Sequence, residues 1–372
     1  MQPVPIEPKA ASLLAKVCVV LTLLLILVGA IVTTSGTGMA TPHAPHVEGT
    51  LLNPNVPGTQ TPFYLDPGYL REHGHRLVAM AVAVAVGALA ALLWRNWIAF
   101  AVCIILMGAA AGLEHLGMSK FLVAHLRVWP PMILFLGWLI VSAKRRGEKI
   151  TGNQWMVFIA FLATGIQAMF GTLRVELETA GKLDAATMIR TTHGVFAQMF
   201  LAWLVILATR LSPINREIVS HAHAKKLHRM TIALLFLYFI QLACAAYLRH
   251  RPGTWAAIPH WPQTDASGGW LPVVWTHTIG ILFLHSRVLP FLIFGHVIGM
   301  AFGFRKRAYG ERRLTRPAWG LLILVLIQIA LGASIYLWHW DAHTVNTHVI
   351  VGALICATAA MLFARTSRLR PA

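Results

Sequence analysis

Apolar residues fall in long runs that repeat from one end of the chain to the other, parted by short polar connections. A helix needs about 20 mostly apolar residues to cross a bilayer. Ten segments fit, at approximately 17–36, 75–94, 97–113, 121–142, 154–173, 188–209, 229–248, 281–303, 317–337 and 344–364. The pattern predicts an all-α polytopic membrane protein made of one integral membrane domain. The third run is short and rich in Ala and Gly, with Glu114 and His115 at its end. Removing the third and fourth runs together leaves the parity of crossings unchanged.

Composition supports this reading. Hydrophobic residues make up 57% of the chain and charged residues 12%, against about 25% charged in soluble domains. The first run follows Lys9 and Lys16 and is longer than the roughly 7–15 residues of a signal-peptide core, which predicts a retained first helix. The net charge of +18, from 31 Lys+Arg against 13 Asp+Glu, would suggest nucleic acid on a soluble protein. Here the basic residues cluster beside apolar runs, at Lys144–Lys149, Arg210–Arg229, Arg305–Arg316 and Arg365–Arg370, whereas Glu48, Asp66, Glu72, Glu114, Glu176, Glu178, Asp184, Asp265 and Asp341 occupy the alternate connections. The positive-inside rule then places both termini in the cytoplasm of a cell with this protein in its inner (plasma) membrane, and nucleic acid is dropped as a partner. Cys18, Cys103, Cys244 and Cys356 lie inside apolar runs without CxxC spacing and read as small buried hydrophobes, with no disulfide and no thiolate metal site expected.

An internal repeat carries the candidate chemistry. Outward-going helices contain Gln167, Gln241 and Gln328, each four positions before a small residue (Gly171, Ala245, Gly332). Small residues allow close helix approach, and the glutamines read as interhelical hydrogen-bonding groups. Each returning helix carries a His near its outer end: His193, His285 and His348, with His75 and His125 in the second and fourth helices. Polar residues inside spans are costly and face the bundle interior. A neutral imidazole is a common metal ligand, and two facing each other at one depth would clamp a haem iron. Arg76, Arg174, Arg249 and Arg287 lie at the level of the propionates, and Arg suits a carboxylate. A single interfacial His reads equally well as a packing or solvated residue, and the recurrence at one depth is what favours haem. His296 reads as structural, His277 as a weaker rival to His285.

The stretch Gly29–Pro42, the piece Glu72-His-Gly-His-Arg76, the spacing Gln167-x-x-x-Gly171 and the piece His193-Gly-Val-Phe-Ala-Gln198 resemble the heme A synthase family. The resemblance implies two pseudo-symmetric four-helix halves: residues 1–210 for substrate haem, with an extra hairpin near 97–142, and residues 228–366 for a haem b cofactor. It implies oxidation of the haem O methyl group to the formyl group of haem A for terminal oxidase assembly, with an electron acceptor, membrane lipid, a haem O synthase or an oxidase subunit as partners, and homo-oligomerisation left open. Carried over, His75 and His193 are the first ligand pair, with His125 a rival to His193, and His285 and His348 are the second pair. Glu72 takes the acidic position to which catalysis is attributed; alternatively it is a solvated acid beside the positive end of its helix. The chain departs from the family at Pro42-His-Ala-Pro45, in lacking an outer-loop Cys pair, and in placing Ser286 between His285 and Arg287. Two other classes remain, a di-haem b electron-transfer protein and a transporter using the histidines as proton relays. Pro290 alone hints at the broken helices of transporters, and the scarcity of acids argues against a prenyltransferase.

Overall fold

The computed structural model describes residues 9–39, 48–49, 54–56, 59, 61–110, 120–213, 222–251, 269, 271–272, 275–308, 311–338 and 341–369. Pro42–Pro45, Glu114, His115, Arg216, His221, His260, Asp265, His339 and Arg370 fall outside these residues. The helices are α1 (Lys9–Thr34), α2 (Pro67–Trp94), α3 (Trp97–Ala109), α4 (Lys120–Arg145), α5 (Gly152–Thr179), α6 (Leu183–Leu211), α7 (Ala224–His250), α8 (His277–Phe283), α9 (Leu289–Arg307), α10 (Arg312–Leu337) and α11 (Ala342–Thr366). A π turn, Leu284–Val288, joins α8 to α9 in one rod. Two short strands, β1 (Glu48–Gly49) and β2 (Pro54–Asn55), pair antiparallel after α1.

Nine helices among the described residues are long and apolar enough to cross a membrane, the α8–α9 rod counting as one. The third expected run is α3, whose 13 residues span about 20 Å at a rise of ~1.5 Å per residue, short of the roughly 30 Å hydrocarbon layer. Large apolar side chains such as Leu13, Ile98, Ile105, Ile133, Phe236 and Phe291 are exposed on the helices. Soluble proteins avoid extensive apolar surface; in hydrocarbon it is the favourable exterior.

By mutual contact the chain divides into two compact units: Met1–Ala186 with Trp203–Arg216, and Thr187–Ala202 with Glu217–Ala372. Residues of α6 belong to both.

In the first unit α1 packs along α2, and α2 along α5. The α3–α4 hairpin is fastened at its basic end. Asn96 Nδ2 donates to Ser142 Oγ (2.8 Å), and Arg146 Nη2 donates to the Trp94 carbonyl (2.9 Å). Trp94 Nε1 donates to the Gln154 carbonyl while Gln154 Nε2 donates to the Leu93 carbonyl. The Arg146 and Gln154 bonds satisfy the Trp94 and Leu93 carbonyls that the end of α2 leaves without intrahelical donors. Thr151 and Gln154 form a reciprocal capping box that starts α5.

In the second unit α10 packs against α9 and α11, and α7 against α9 and α11. The buried Tyr238 hydroxyl donates to the Gly352 carbonyl (2.9 Å) and ties α7 to α11. At the basic end His228 Nδ1 and the Thr231 hydroxyl both stand 3.1 Å from Thr366 Oγ1. His296 Nε2 meets the Met230 carbonyl at 2.9 Å, joining α9 to α7.

Candidate functional site

The second unit builds a site from α7, the α8–α9 rod, α10 and α11. Thr276 caps α8, its hydroxyl accepting the Ile279 N–H (3.2 Å), and His285 follows nine residues later. At that point the helix changes pitch. The Leu289 N–H reaches back five residues to the Leu284 carbonyl, the bond of a π turn. Continuing that pattern, residue 290 would donate to the His285 carbonyl, but residue 290 is proline and has no N–H. The orphaned His285 carbonyl instead accepts from Gln241 Nε2 of α7, at 3.0 Å. Ser286 Oγ donates to the Leu282 carbonyl (2.6 Å), and Arg287 Nη1 donates to Ser286 Oγ (2.7 Å). The Arg287 guanidinium lies 6.0 Å from the Phe283 ring centre. The His277 ring packs edge-on to Tyr247, 6.0 Å between centroids.

His348 is brought in by α11. Asp341 caps this helix by accepting the Thr344 N–H (2.9 Å) and the Thr344 hydroxyl (3.0 Å). Those bonds hold its carboxyl below the usual 3.8. The Gln328 side-chain amide of α10 stands 3.0 Å from His348 Nε2; with its oxygen turned to the ring it accepts from Nε2–H and leaves the lone pair on Nδ1. One turn further along α10, Gly332 makes room for the ring: a β-carbon there would lie 3.3 Å from His348 Cε1. His285 and Arg249 are near neighbours of His348.

Four polar atoms here, Nδ1 of His285, Nδ1 of His348, Oε1 of Gln241 and Oε1 of Gln328, are buried with no hydrogen-bond partner among the described residues. An unmet buried polar atom costs about 1–3 kcal/mol, so such a cluster is the mark of a site that receives a polar or metal-bearing group. No group of three or more His, Cys, Asp and Glu among the described residues is arranged for a metal ion. A haem iron needs only two protein ligands, since the porphyrin nitrogens supply the rest. Two half-buried imidazoles, a cation beside them and a glycine that admits one ring therefore fit haem better than a bare ion.

In the first unit Asp66 caps α2 by accepting the Tyr69 N–H (2.7 Å), and Pro67 occupies the first turn, where its missing N–H costs nothing. Glu72 is 5% exposed. Its Oε1 accepts from Arg76 Nη2 at 2.8 Å, so the acid and one of the expected propionate cations are an ion pair one turn apart. His75, nine residues beyond Asp66, lies against Gly29 of α1, where a β-carbon would stand 3.0 Å from Cε1 and 3.4 Å from Nδ1. Arg174 is tied to protein groups: it donates to the Gly38 carbonyl beyond α1 and meets Glu178 at 3.4 Å. The neighbouring His73 is buried, with Phe63 and Tyr69 against its ring. His125 is half-buried on α4, and His193, also half-buried, is on the segment of α6 in the second unit.

The structure thus brings His285, His348 and Arg249 together, and Glu72 with Arg76. Sequence reasoning saw the glutamines as generic interhelical donors, and two of them have specific targets on the histidine helices. It missed Gly29 and Gly332 as cradles for imidazole rings. For Gly332 the signal was present, since the repeat places a small residue one turn after each Gln.

Two cavities lie away from these histidines. One, about 680 Å³, is lined by His223, Lys225, Lys226, Arg229, Met230 and His296 at the basic end of the second unit. The other, about 450 Å³, lies along α3 and α4.

No curated protein matches the chain. Residues 127–360 match the cytochrome oxidase assembly protein family COX15-CtaA. That segment holds His193, His285, His348, Arg174, Arg249 and Arg287, and it leaves Glu72, His75, Arg76 and His125 on its amino-terminal side. The match spans more than half of the chain, and the chain belongs to this family, that of the heme A synthases.

Proposed function

We propose that the protein oxidises the methyl group of haem O to the formyl group of haem A, with haem b as its bound cofactor. The observation that carries this reading is the pair His285–His348, held beside Arg249 with a buried unmatched nitrogen on each ring. Bound haem would supply the redox chemistry, which includes passing electrons to an acceptor, while the protein sets position and electrostatics. His285 and His348 are the haem b ligands in this proposal, with Arg249 and Arg287 as cations for the propionates. For the substrate haem the resemblance pairs His75 with His193, His125 being the rival, and this pairing comes from the sequence alone. Two pseudo-symmetric halves, 1–210 with the hairpin 97–142 and 228–366, belong to the same proposal.

Glu72 has the part of a base toward water or of a negative charge near the reacting carbon. Arg76 fixes its direction through the 2.8 Å bond, and its place one turn before His75 puts the two on one helix face. The basic connections are assigned to the cytoplasm under the positive-inside rule, which puts both termini there and the histidine-bearing end at the outer face of the inner membrane. Membrane lipid, a haem O synthase and a terminal oxidase subunit are the expected neighbours.

The test is expression of the full chain in cells that make haem O, followed by analysis of the extracted haems. The expected result is haem A or a hydroxylated precursor with the wild-type chain, and haem b but no such product with Glu72→Ala. Finding only haem b and haem O with the wild-type chain would end the catalytic reading and leave an electron carrier.

A further inference from the structure

The α8–α9 rod departs from regular geometry only at the turn that carries His285. Three observations meet there. Ser286 is an extra residue between His285 and Arg287 relative to the adjacent pair His75–Arg76 on α2. The turn Leu284–Val288 is a π turn, which takes in one residue more than an α turn and leaves the helix beyond in phase. Pro290 removes the N–H that would serve the His285 carbonyl, and Gln241 of α7 supplies a donor at 3.0 Å. The bulge thus absorbs the inserted serine, and a side chain from a neighbouring helix completes the hydrogen bonding that proline leaves open.

We propose that Gln241 is a positioning residue for the haem ligand His285: by bonding its main-chain carbonyl it fixes the π turn and with it the direction in which the imidazole points. The inference rests on the haem reading of His285 and His348. Gln241 acts through the backbone of the ligand and not on iron. Second-shell groups normally orient a ligating imidazole through its other ring nitrogen; here the hold is on the carbonyl of the same residue.

The test is a double-substitution cycle in the full-length protein, purified in detergent with its haem. Gln241→Met keeps side-chain length and removes the donor. Pro290→Ala gives residue 290 an N–H that can serve the turn from within the helix. Gln241→Met alone is expected to weaken haem retention by about 10–100-fold, the usual effect of losing a second-shell group, to shift the low-spin electron paramagnetic resonance signal of the bis-imidazole haem, and to lower the thermal midpoint. Adding Gln241→Met to Pro290→Ala is expected to do much less on all three measures. Equal losses in both backgrounds, or an unchanged signal and haem content in Gln241→Met, would overturn the proposal. A wild-type protein that binds no haem removes the ligand role of His285 and overturns the proposal together with the haem reading. Full haem binding by Gln241→Met removes the positioning role and leaves that reading intact.

Discussion

His75 and His285 stand equally far into their helices, each nine residues beyond a capping side chain, Asp66 in one case and Thr276 in the other. The helices that carry them differ. α2 runs as an uninterrupted α-helix from Pro67 to Trp94, and the Arg76 that follows His75 directly is fixed within that helix by Glu72, one turn back. The α8–α9 rod places a serine between His and Arg, opens into a π turn, loses an N–H at Pro290 and takes a replacement donor from α7. In α2 the Arg of the His–Arg element is paired with an acid one turn back on the same helix, and in the rod the carbonyl of the His takes a donor from a neighbouring helix. The regular helix is therefore intolerant of changes in length at this element, and the bulged one is tolerant of them.

The sharpest way to break this contrast is to exchange the two lengths. A serine inserted between His75 and Arg76 turns the Glu72–Arg76 pair from an i,i+4 into an i,i+5 relation, off the shared face. No proline or bulge stands nearby to absorb it. Leaving a buried partner unmatched costs about 1–3 kcal/mol, and the rest of α2 must also rotate by roughly 100° or distort. Deleting Ser286 instead closes the π turn into an α turn and places Arg287 next to His285. It forfeits the Ser286 bonds to Leu282 and Arg287, about 1 kcal/mol, and keeps the Gln241 bond, because the proline would then withhold its N–H from the same carbonyl. Thermal midpoints of the purified variants should fall steeply for the insertion and slightly for the deletion. Equal losses would show that the bulge is not an absorbed insertion.

Much of this was legible beforehand. Runs of apolar residues located the spans because hydrocarbon thickness acts on composition alone, and the expected 154–173 and 188–209 became α5 and α6 with only their ends extended. The third run was already legible as short and rich in Ala and Gly, and among the described residues its helix covers Trp97–Ala109. Recurrence at one depth singled out His285, His348 and Arg249 as candidates, and the structure sets these three near one another. Ser286 was visible as a departure, yet what the chain does with it depends on a bond between residues 44 positions apart. Gly29 was read only as part of a motif. That it faces a ring on α2 is a fact of helix packing, which no local pattern states.

A second pair of variants compares how tightly the histidines are seated. A β-carbon at Gly29 would lie 3.0 Å from His75 Cε1, and one at Gly332 would lie 3.3 Å from His348 Cε1. Overpacking costs about 1–3 kcal/mol. Gly29→Ala belongs at the upper end, because the ring must give way against a close helix pair, and Gly332→Ala at the lower end. In Gly332→Ala the haem b absorbance should shift with little loss of protein stability; in Gly29→Ala stability should fall while the haem b spectrum stays as in the wild type. The reverse order in thermal midpoints would mean that His348 has the tighter seat.

The smallest effect separates the caps. Asp341 opens α11, and its carboxyl lies below the usual 3.8 because the Thr344 N–H and hydroxyl donate to it. A group whose folded value is depressed adds stability above its unfolded value and loses it as pH falls through the folded one. Thr276, at the start of α8, accepts its N–H without titrating. Asp341→Asn preserves an acceptor while removing the charge. Thermal midpoints should therefore place the wild type slightly above Asp341→Asn near neutrality, with the gap closing as pH drops below about 3.8. Thr276→Ala should lower the midpoint by a similar amount at every pH, since the bond it removes carries no proton equilibrium. A gap between wild type and Asp341→Asn that stayed constant on acidification would show that the carboxylate charge contributes nothing at the start of the helix that holds His348.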